Sequence, residues 1–336
     1  MTHEFKKIIK EYQLAKSSAI RCVLATVVDL DGSSYRRPGV RMLIREDDIM
    51  IGAVSGGCVE KEVLFQAQSV FEKNISKLMT YDGRYRLGCE GILYILLEPF
   101  SPSEEVFSAF EETIKTRKPF ELRTAYQKEF GELKHFGTLI SLDTETFPVY
   151  ADTMEQPSAL YFQQTMQPCK RLLIIGGEHD AVQLSHFALS MGWEVSVAVT
   201  PKEDKTKVDF PGVDQLFDYE PENLPTESID ANTAVILMTH SYVKDLKYLL
   251  VLKETKPMYF GLLGPLKRRE KLLASLLEQD MDIDLEFIEK IHGPAGLNIG
   301  AETPQEIAIS ILSEILAVIR KTNPIMLKNK ENRIHH

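Results

Sequence analysis

The first half of the chain mixes two periodicities of hydrophobic and polar positions. Stretches whose apolar residues recur every three to four positions predict helices, and short β-branched or apolar runs predict strands. Because these elements do not alternate regularly, they predict an α+β domain, which we bound at residues 1–155. The predicted helices cover residues 4–17, 58–73 and 103–117, and the predicted strands cover 19–30, 40–45, 49–54, 77–81, 92–97 and parts of 120–150.

The second half follows a regular rhythm in which each apolar run ends in a small-residue turn and is followed by helical spacing. This pattern is typical of a doubly wound parallel sheet, so we predict a Rossmann-like domain over residues 170–322. Residues 151–169 lack periodicity and are interpreted as a linker, and the polar residues 323–336 as a tail. The predicted strands cover 171–175, 193–199, 233–238 and 258–263, and the predicted helices cover 181–191, 242–254, 266–278 and 303–321.

Composition narrows the class of protein. At 336 residues, with 44% hydrophobic and 26% charged residues, the chain is typical of a soluble globular protein of two domains. The net charge of −10 argues against nucleic-acid binding, and no apolar stretch is long enough to span a membrane. The four cysteines, Cys22, Cys58, Cys89 and Cys169, form no CxxC pair. A reducing cytoplasm is therefore expected, without a disulfide framework or zinc ribbon.

The stretch around residues 51–60 carries the strongest candidate chemistry. Ser55, Gly56 and Gly57 predict a tight turn after a strand, and helical spacing begins at Cys58. That spacing puts Cys58 near the first helical position and Glu60 near the third. A helix start carries unpaired N–H groups, which favour an anion or a cysteine thiolate. The alternative is a glycine turn with a small buried cysteine.

A second polar loop, residues 31–39, offers groups that suit a phosphate. Ser33 and Ser34 supply hydroxyls, and Arg36 and Arg37 supply forked donors. The alternative is a solvated connection between two strands.

Residues 176–181 occupy the place of a dinucleotide fingerprint. Gly176 and Ala181 match its first and last positions, but Glu178 replaces the glycine that lets a pyrophosphate approach. Thr200 stands where an acidic ribose ligand is expected after the second strand. These residues support the Rossmann-like fold and argue against NAD(P) as its ligand.

Two further turns contain candidate residues. Cys89 lies in a small-residue turn before the strand at 92–97, and His292 lies in a glycine-rich loop after the last parallel strand. We expect this loop, residues 291–302, to reach the same carboxyl edge of the sheet as His179 and His240, with His292 as a ligand or proton donor. The alternatives are a structural turn for Cys89 and a loop histidine satisfied by its neighbours for His292.

Taken together, these motifs resemble the XdhC/CoxI family over nearly all of residues 15–320. The resemblance implies a molybdenum cofactor chaperone that serves a xanthine-dehydrogenase-type enzyme, although members are often labelled xanthine dehydrogenases. The chain has too few cysteines for the two iron–sulfur clusters of such an enzyme. The matching residues are Asp31–Gly39, Arg41, Met42, Ser55–Glu60, Gly88, Cys89, 171–181, Gly261–Gly264, Arg268, Arg269, His292–Glu302 and the helix from Pro304.

The resemblance also implies cofactor, partners and site. The cofactor is molybdopterin-based, and the partners are a molybdoenzyme apoprotein, a cysteine desulfurase and a second copy of the chain. The predicted site is a cleft between the domains with no catalytic residues, and Cys58 is the metal ligand. The predicted cofactor-binding residues are Ser33, Ser34, Arg36, Arg37, Ser55, Gly56, Gly57, Cys58, Glu60, Cys89, Gly176, Gly177, His179 and His292.

Three residues depart from the family pattern: Glu90 after Cys89, Glu178 in the glycine turn, and Thr200. Two alternatives to the chaperone stay open. One is an NAD(P)-dependent oxidoreductase with His179 or His292 as proton donor, which Glu178 and Thr200 disfavour. The other is a binding scaffold that takes a different ligand.

Overall fold

A computed structural model describes residues 1–32, 34, 37–55, 57, 59–83 and 91–330. The chain divides into two compact units, Met1–Pro168 and Cys169–His336. The first unit is α+β with antiparallel sheets, and the second is built on a parallel sheet, so the predicted fold class is confirmed. Within the described part of the chain, no helix is long and apolar enough to cross a membrane.

The first unit contains two antiparallel sheets, one of six strands and one of four. Its helices are α1 (Thr2–Ser17), α2 (Glu60–Lys73) and α3 (Glu104–Lys115), and its strands are β1 (Cys22–Asp31), β2 (Arg41–Arg45), β3 (Met50–Gly52), β4 (Ser76–Asp82), β5 (Ile92–Pro99), β6 (Phe120–Tyr126), β7 (Gly131–Leu133), β8 (Thr138–Leu142), β9 (Glu145–Pro148) and β10 (Leu160–Met166). The strand orders are β3-β2-β1-β5-β4-β7 and β10-β6-β8-β9.

The larger sheet is covered on both faces, which explains why β1 reads as a continuous apolar run. Val23, Ala25 and Val27 pack with α2 on one face. Cys22 and Leu24 pack on the other face with α1, α3 and the smaller sheet. A strand buried on both sides needs no polar positions.

The linker predicted at 151–169 is wrong for seven residues, because β10 pairs antiparallel with β6 along its whole length. β10 is an edge strand, and only Met166 in it is fully buried. The inward-facing Gln164 accepts a hydrogen bond from Arg41 Nη1 at 2.5 Å. A polar residue on the inner face hides the alternation that would have predicted a strand.

The second unit has six parallel strands in the order β13-β12-β11-β14-β15-β16. Helices α4 and α8 pack on one face of this sheet, and α5 and α6 on the other. The elements are β11 (Arg171–Ile175), α4 (His179–Ser190), β12 (Glu194–Val199), β13 (Gln215–Asp218), β14 (Thr233–Leu237), α5 (Tyr242–Leu252), β15 (Tyr259–Leu262), α6 (Leu266–Gln279), α7 (Leu285–Glu289), β16 (Ile291–His292) and α8 (Pro304–Ile319).

The winding of this sheet reverses between β11 and β14, where the carboxyl ends of the two strands meet. Gly176 follows β11 with φ +137°, and a Cβ there would lie 2.5 Å from the carbonyl oxygen of Met238. Only glycine therefore lets the two backbones approach this closely. Such a switch point is where ligands bind in open parallel sheets.

Candidate functional site

In the first unit, the turn between β3 and α2 is held by a buried carboxylate. Glu60 is 8% exposed, and it accepts 2.7 Å hydrogen bonds from the N–H and from the hydroxyl of Ser55. The Ser55 hydroxyl in turn accepts from the N–H groups of Gly57 and Val59 at 3.2 and 3.3 Å. Hydrogen bonds of Ser55 therefore connect the start of the turn to its middle and to the first residue of α2.

The helix starts later than its spacing predicted. α2 begins at Glu60, with Val59 as its N-cap residue. Glu60 is therefore the first helical residue and not the third. Its carboxylate reaches back to the N–H of Ser55, which lies before the helix.

The electrostatics of the turn keep Glu60 ionised. Burial on its own raises the pKa of Glu60, but the hydrogen bonds from the Ser55 hydroxyl and N–H outweigh it and hold the pKa below the ordinary value of 4.5. Gly57 has φ +117°, and no atom of the described residues outside its chain neighbours lies within 4 Å of where its Cβ would be.

Five predicted site residues lie outside the described part of the chain: Ser33, Arg36, Gly56, Cys58 and Cys89. Their roles stay predictions.

The neighbours Ser34 and Arg37 are described. Ser34 is half-buried, while Arg37 is exposed and its carbonyl accepts from Val40 N–H at 3.4 Å. Among the described residues, no hydrogen bond joins either of them to Ser55, Gly57 or Glu60.

The two described cysteines are core residues. Cys22 and Cys169 are both buried. Burial raises the pKa of Cys22 to about 11, so this thiol stays protonated at neutral pH.

In the second unit, the carboxyl edge of the sheet brings together three predicted residues. Gly176 and Gly177 form the turn after β11, and the exposed His179 is the first residue of α4. His240 follows β14, and its Nε2 lies 3.5 Å from Asp180 Oδ2. His179 and His240 thus lie at the same edge, as expected.

The carboxylate of Glu203, which was not among the residues predicted from the sequence, lies beside this glycine turn. Thr200, Pro201 and Glu203 form a capping box after β12, and a Cβ on Gly177 would lie 3.4 Å from Glu203 Oε2. Lys244 Nζ on α5 reaches across to Glu203 Oε1 at 2.5 Å and to Thr200 Oγ1 at 2.9 Å. The Thr-x-x-Glu spacing could have revealed this acid.

His292 is not part of that edge. Its ring stacks on the ring of Tyr259, the first residue of β15, with centroids 4.5 Å apart. His240 lies beyond the carboxyl end of β14, so His292 does not share its edge, although the loop that His292 begins was expected there. The chain returns to the edge only at Ala295, whose N–H donates to the Leu262 carbonyl at 2.9 Å. The reason is that β16 pairs with β15 before β15 ends.

His292 belongs instead to a polar network around Glu314 of α8. Glu314 accepts from His292 Nδ1 at 3.0 Å, from Gly296 N–H at 2.7 Å and from the Tyr259 hydroxyl. Burial raises the pKa of Glu314, but the hydrogen bonds from His292 and Tyr259 outweigh it and lower the pKa below its ordinary value. His292 also lines a cavity of about 410 Å³ beside residues 253–260. Among the described residues, no cluster of His, Cys, Asp or Glu has the form of a metal site.

Comparison with known proteins gives consistent matches along the chain. A family model described as the XdhC and CoxI family matches residues 15–82, and one described as the XdhC Rossmann domain matches residues 172–315. A Bacillus subtilis (strain 168) protein, named as a probable subunit of xanthine dehydrogenase, is 28% identical over 312 residues, covering 88% of this chain and 92% of its own length. The Escherichia coli (strain K12) molybdenum cofactor insertion chaperone PaoD is 26% identical over 323 residues, covering 95% of this chain and 90% of its own. The crystal structure of a xanthine dehydrogenase from Bacillus halodurans has a TM-score of 0.76 at 26% identity, covering 96% of this chain and 98% of that one.

Proposed function

The chain belongs to the XdhC and CoxI family, and we propose that it acts in the maturation of a xanthine-dehydrogenase-type molybdoenzyme. In this proposal it binds molybdenum cofactor as cargo and delivers it to the apoenzyme. Two relatives support the role by name, one as a molybdenum cofactor insertion chaperone and one as a probable subunit of xanthine dehydrogenase. The chain itself is then an accessory factor and not an oxidoreductase.

The buried contact between Glu60 and Ser55 is the observation that carries this proposal. It fixes the turn between β3 and α2, in whose sequence Cys58 lies, and among the described residues no atom outside the chain neighbours crowds the Cβ position of Gly57. A binding thiol needs such a rigid support, because a loosely held ligand loses affinity in ordering. The ionised Glu60 also places one negative charge at the helix start, where it stabilises the helix dipole.

The residue types of the first unit suit the two ends of this cargo. Molybdenum cofactor carries a soft dithiolene-bound metal and a phosphate. A thiolate at Cys58 suits the metal or a transient persulfide. The arginines Arg36 and Arg37 suit the phosphate. We propose Cys58 as the chief functional thiol, with Cys89, Ser33 and Ser34 as further contacts.

The proposal extends to partners and location. We propose a molybdoenzyme apoprotein as recipient, a cysteine desulfurase as sulfur donor, a homodimer as the working form and the cytoplasm as the compartment. The relative named as a cofactor insertion chaperone supports the first of these.

Co-expression tests the function and the role of the thiol separately. An apoenzyme of the xanthine dehydrogenase class is produced with wild type, with Cys58→Ala, with Cys22→Ala or without the chain, and its molybdenum content is measured by mass spectrometry. We expect wild type and Cys22→Ala to raise the molybdenum content, and Cys58→Ala not to. Equal content with and without the chain would contradict the maturation role. Full content with Cys58→Ala would contradict only the role of that residue.

An NAD(P)-dependent oxidoreductase is the second candidate, and one contact favours it. Glu203 lies beside Gly177, near where a ribose-binding acid is expected, although Lys244 already pairs with it. A titration with NADH decides the point through the emission of NADH itself. Trp193 precedes β12 at the opposite edge of the sheet, so its quenching would be a poor reporter. Low-micromolar saturable binding would support the second candidate.

A further inference from the structure

Helix α6 of the second unit begins with charges of the wrong sign for its dipole. Lys267, Arg268 and Arg269 lie in its first turn, which holds no acidic residue, and its N-cap Pro265 offers no capping side chain. A helix start carries partial positive charge, so cations there are mutually unfavourable unless an anion joins them.

The start of α4 on the same sheet shows the opposite arrangement. Its N-cap residue is Glu178, and Asp180 lies in its first turn. Acidic residues there satisfy the dipole and repel an anion. The usual phosphate position of a Rossmann-like sheet is thus acidic, and the basic helix start lies on the far side of β14.

Arg268 is held in one orientation by a buried carboxylate. Its Nη2 and Nε donate to Asp245 Oδ2 at 2.6 and 3.2 Å, and Asp245 is 2% exposed. The Thr239 hydroxyl donates to Asp245 Oδ1 at 2.6 Å, which fixes the carboxylate in turn. Arg268 Nη1 makes no hydrogen bond with any residue that the structure describes, so one face of the guanidinium stays available to a ligand.

Gly264, before α6, has the conformation that this arginine requires. Its φ is +117°, and a Cβ there would lie 2.8 Å from Arg268 Cδ. A side chain at this position would displace Arg268 from Asp245. Gly264, Arg268 and Asp245 therefore hold one another in a fixed arrangement.

Gly264 and Arg268 line a cavity of about 160 Å³ at the carboxyl ends of β14 and β15. His240 on its wall adopts φ +56°, an uncommon conformation for a residue other than glycine or asparagine. The cavity, hereafter the α6 pocket, is lined by Met238, His240, Leu263, Gly264, Pro265 and Arg268.

The neighbouring position over β11 is already filled by the chain itself. Lys244 spans from α5 to Glu203 and Thr200. The side chains of Lys205 and Glu203 lie beside Gly177, 3.1 and 3.4 Å from where its Cβ would be. A ligand at this edge therefore finds its open space between β14 and β15.

The N–H groups of Arg268 and Arg269 donate to the Pro265 carbonyl, which leaves those of Leu266 and Lys267 at the helix start. We propose that the α6 pocket binds the phosphate group of a small phosphorylated molecule, through Arg268 Nη1, His240 and these two N–H groups. The apolar wall from Met238 and Leu263 would contact the group that carries the phosphate. The same chemistry could come from a nucleotide or from a phosphorylated pterin. This site lies in the second unit and does not depend on the thiol site proposed for the first.

Calorimetric titration of the full chain tests the pocket. The probes are inorganic phosphate, adenosine 5′-monophosphate, a hydroxymethylpterin phosphate, and adenosine as the control that lacks phosphate. We expect saturable binding of at least one phosphorylated probe and none of adenosine, and the stronger of the two organic phosphates identifies the carrier. Absence of binding for all three phosphorylated probes at millimolar concentration would overturn the proposal.

Variants place the binding in the pocket. Arg268→Gln should weaken the affinity about tenfold or more, as loss of a charge-assisted hydrogen bond predicts. The exposed Lys271, one turn further along α6, gives the matched control Lys271→Gln, which should change affinity less than about twofold. Equal losses in the two variants, or none in either, would overturn the proposal.

A second pair of variants guards against misfolding, because Arg268→Gln leaves Asp245 buried without its cation. Asp245→Asn combined with Arg268→Gln removes both charges together. His240→Gly keeps a backbone that tolerates φ +56° and removes only the ring. Each variant is checked by its thermal midpoint. Wild-type affinity in folded His240→Gly and in the folded double variant would overturn the proposal.

Discussion

Substitution of Gly176 by alanine should destabilise the second unit far more than the same change at Gly300, a glycine of that unit with no crowding at its Cβ position. A Cβ at Gly176 would lie 2.5 Å from Met238 O, 2.8 Å from Met238 C and 3.2 Å from Thr239 N. These are backbone atoms, and Met238 N–H donates to Ile175 O at 2.8 Å, so they cannot turn away as a side chain would. We expect strain of about 1–3 kcal/mol from the backbone conformation and about 1–3 kcal/mol from overpacking.

Gly300→Ala is the matched control in the same unit. Gly300 also has positive φ, +74°, but no atom lies within 4 Å of its Cβ position. It should therefore cost only the backbone term, about 1–2 kcal/mol. Urea unfolding followed by the fluorescence of Trp193, the only tryptophan in the chain, reports the second unit alone. If the two variants lost the same unfolding free energy, the close approach of β11 and β14 would be refuted.

Four further predictions concern the first unit. Ser55→Ala should lower the unfolding free energy by about 1–2 kcal/mol in urea titrations, because two N–H groups and Glu60 lose their partner. Glu60 has a lowered pKa, so its stabilisation should be complete above pH 4.5 and be lost as the pH falls through that lowered pKa; Glu60→Gln should remove this dependence. Glu98 behaves oppositely: burial, opposed by Thr138 and the charge of Arg41, raises its pKa to about 7 from 4.5. The folded state then binds the extra proton, so the unfolding free energy should fall as the pH rises from 4.5 to 7, and an unchanged slope in Glu98→Gln would contradict this. Native Cys22, with its pKa raised to about 11, should react with iodoacetamide at about pH 8 far more slowly than after unfolding, as peptide mass spectrometry can measure.

The buried parallel strands could be predicted from the sequence because a strand that is buried on both faces has a continuous run of apolar residues. All five residues of β14, for example, are buried. The edge strands β10 and β13 were missed for the converse reason, since most of their residues are exposed or half-buried. Short exposed strands are fixed by pairing with a neighbour, which local composition does not record.

The contacts in the candidate sites could be predicted only where the two partners lie close together in the sequence. Glu60 and Ser55 lie five positions apart, so their partnership could be anticipated from one short motif. The pair of Asp245 and Arg268 spans 23 positions and that of His292 and Glu314 spans 22, and only the order of the parallel strands brings them together. His292 was misplaced because the sequence does not reveal where β16 pairs along β15.

The molybdenum and pterin content of the purified chain tests directly whether the chain binds molybdenum cofactor as cargo. The protein is purified anaerobically from a host that makes molybdenum cofactor, as wild type, Cys58→Ala and Cys22→Ala. We expect near-stoichiometric pterin in wild type and in Cys22→Ala, and loss of the pterin in Cys58→Ala. Absence of pterin from all three proteins would contradict the cargo role and direct attention to the ligand of the α6 pocket.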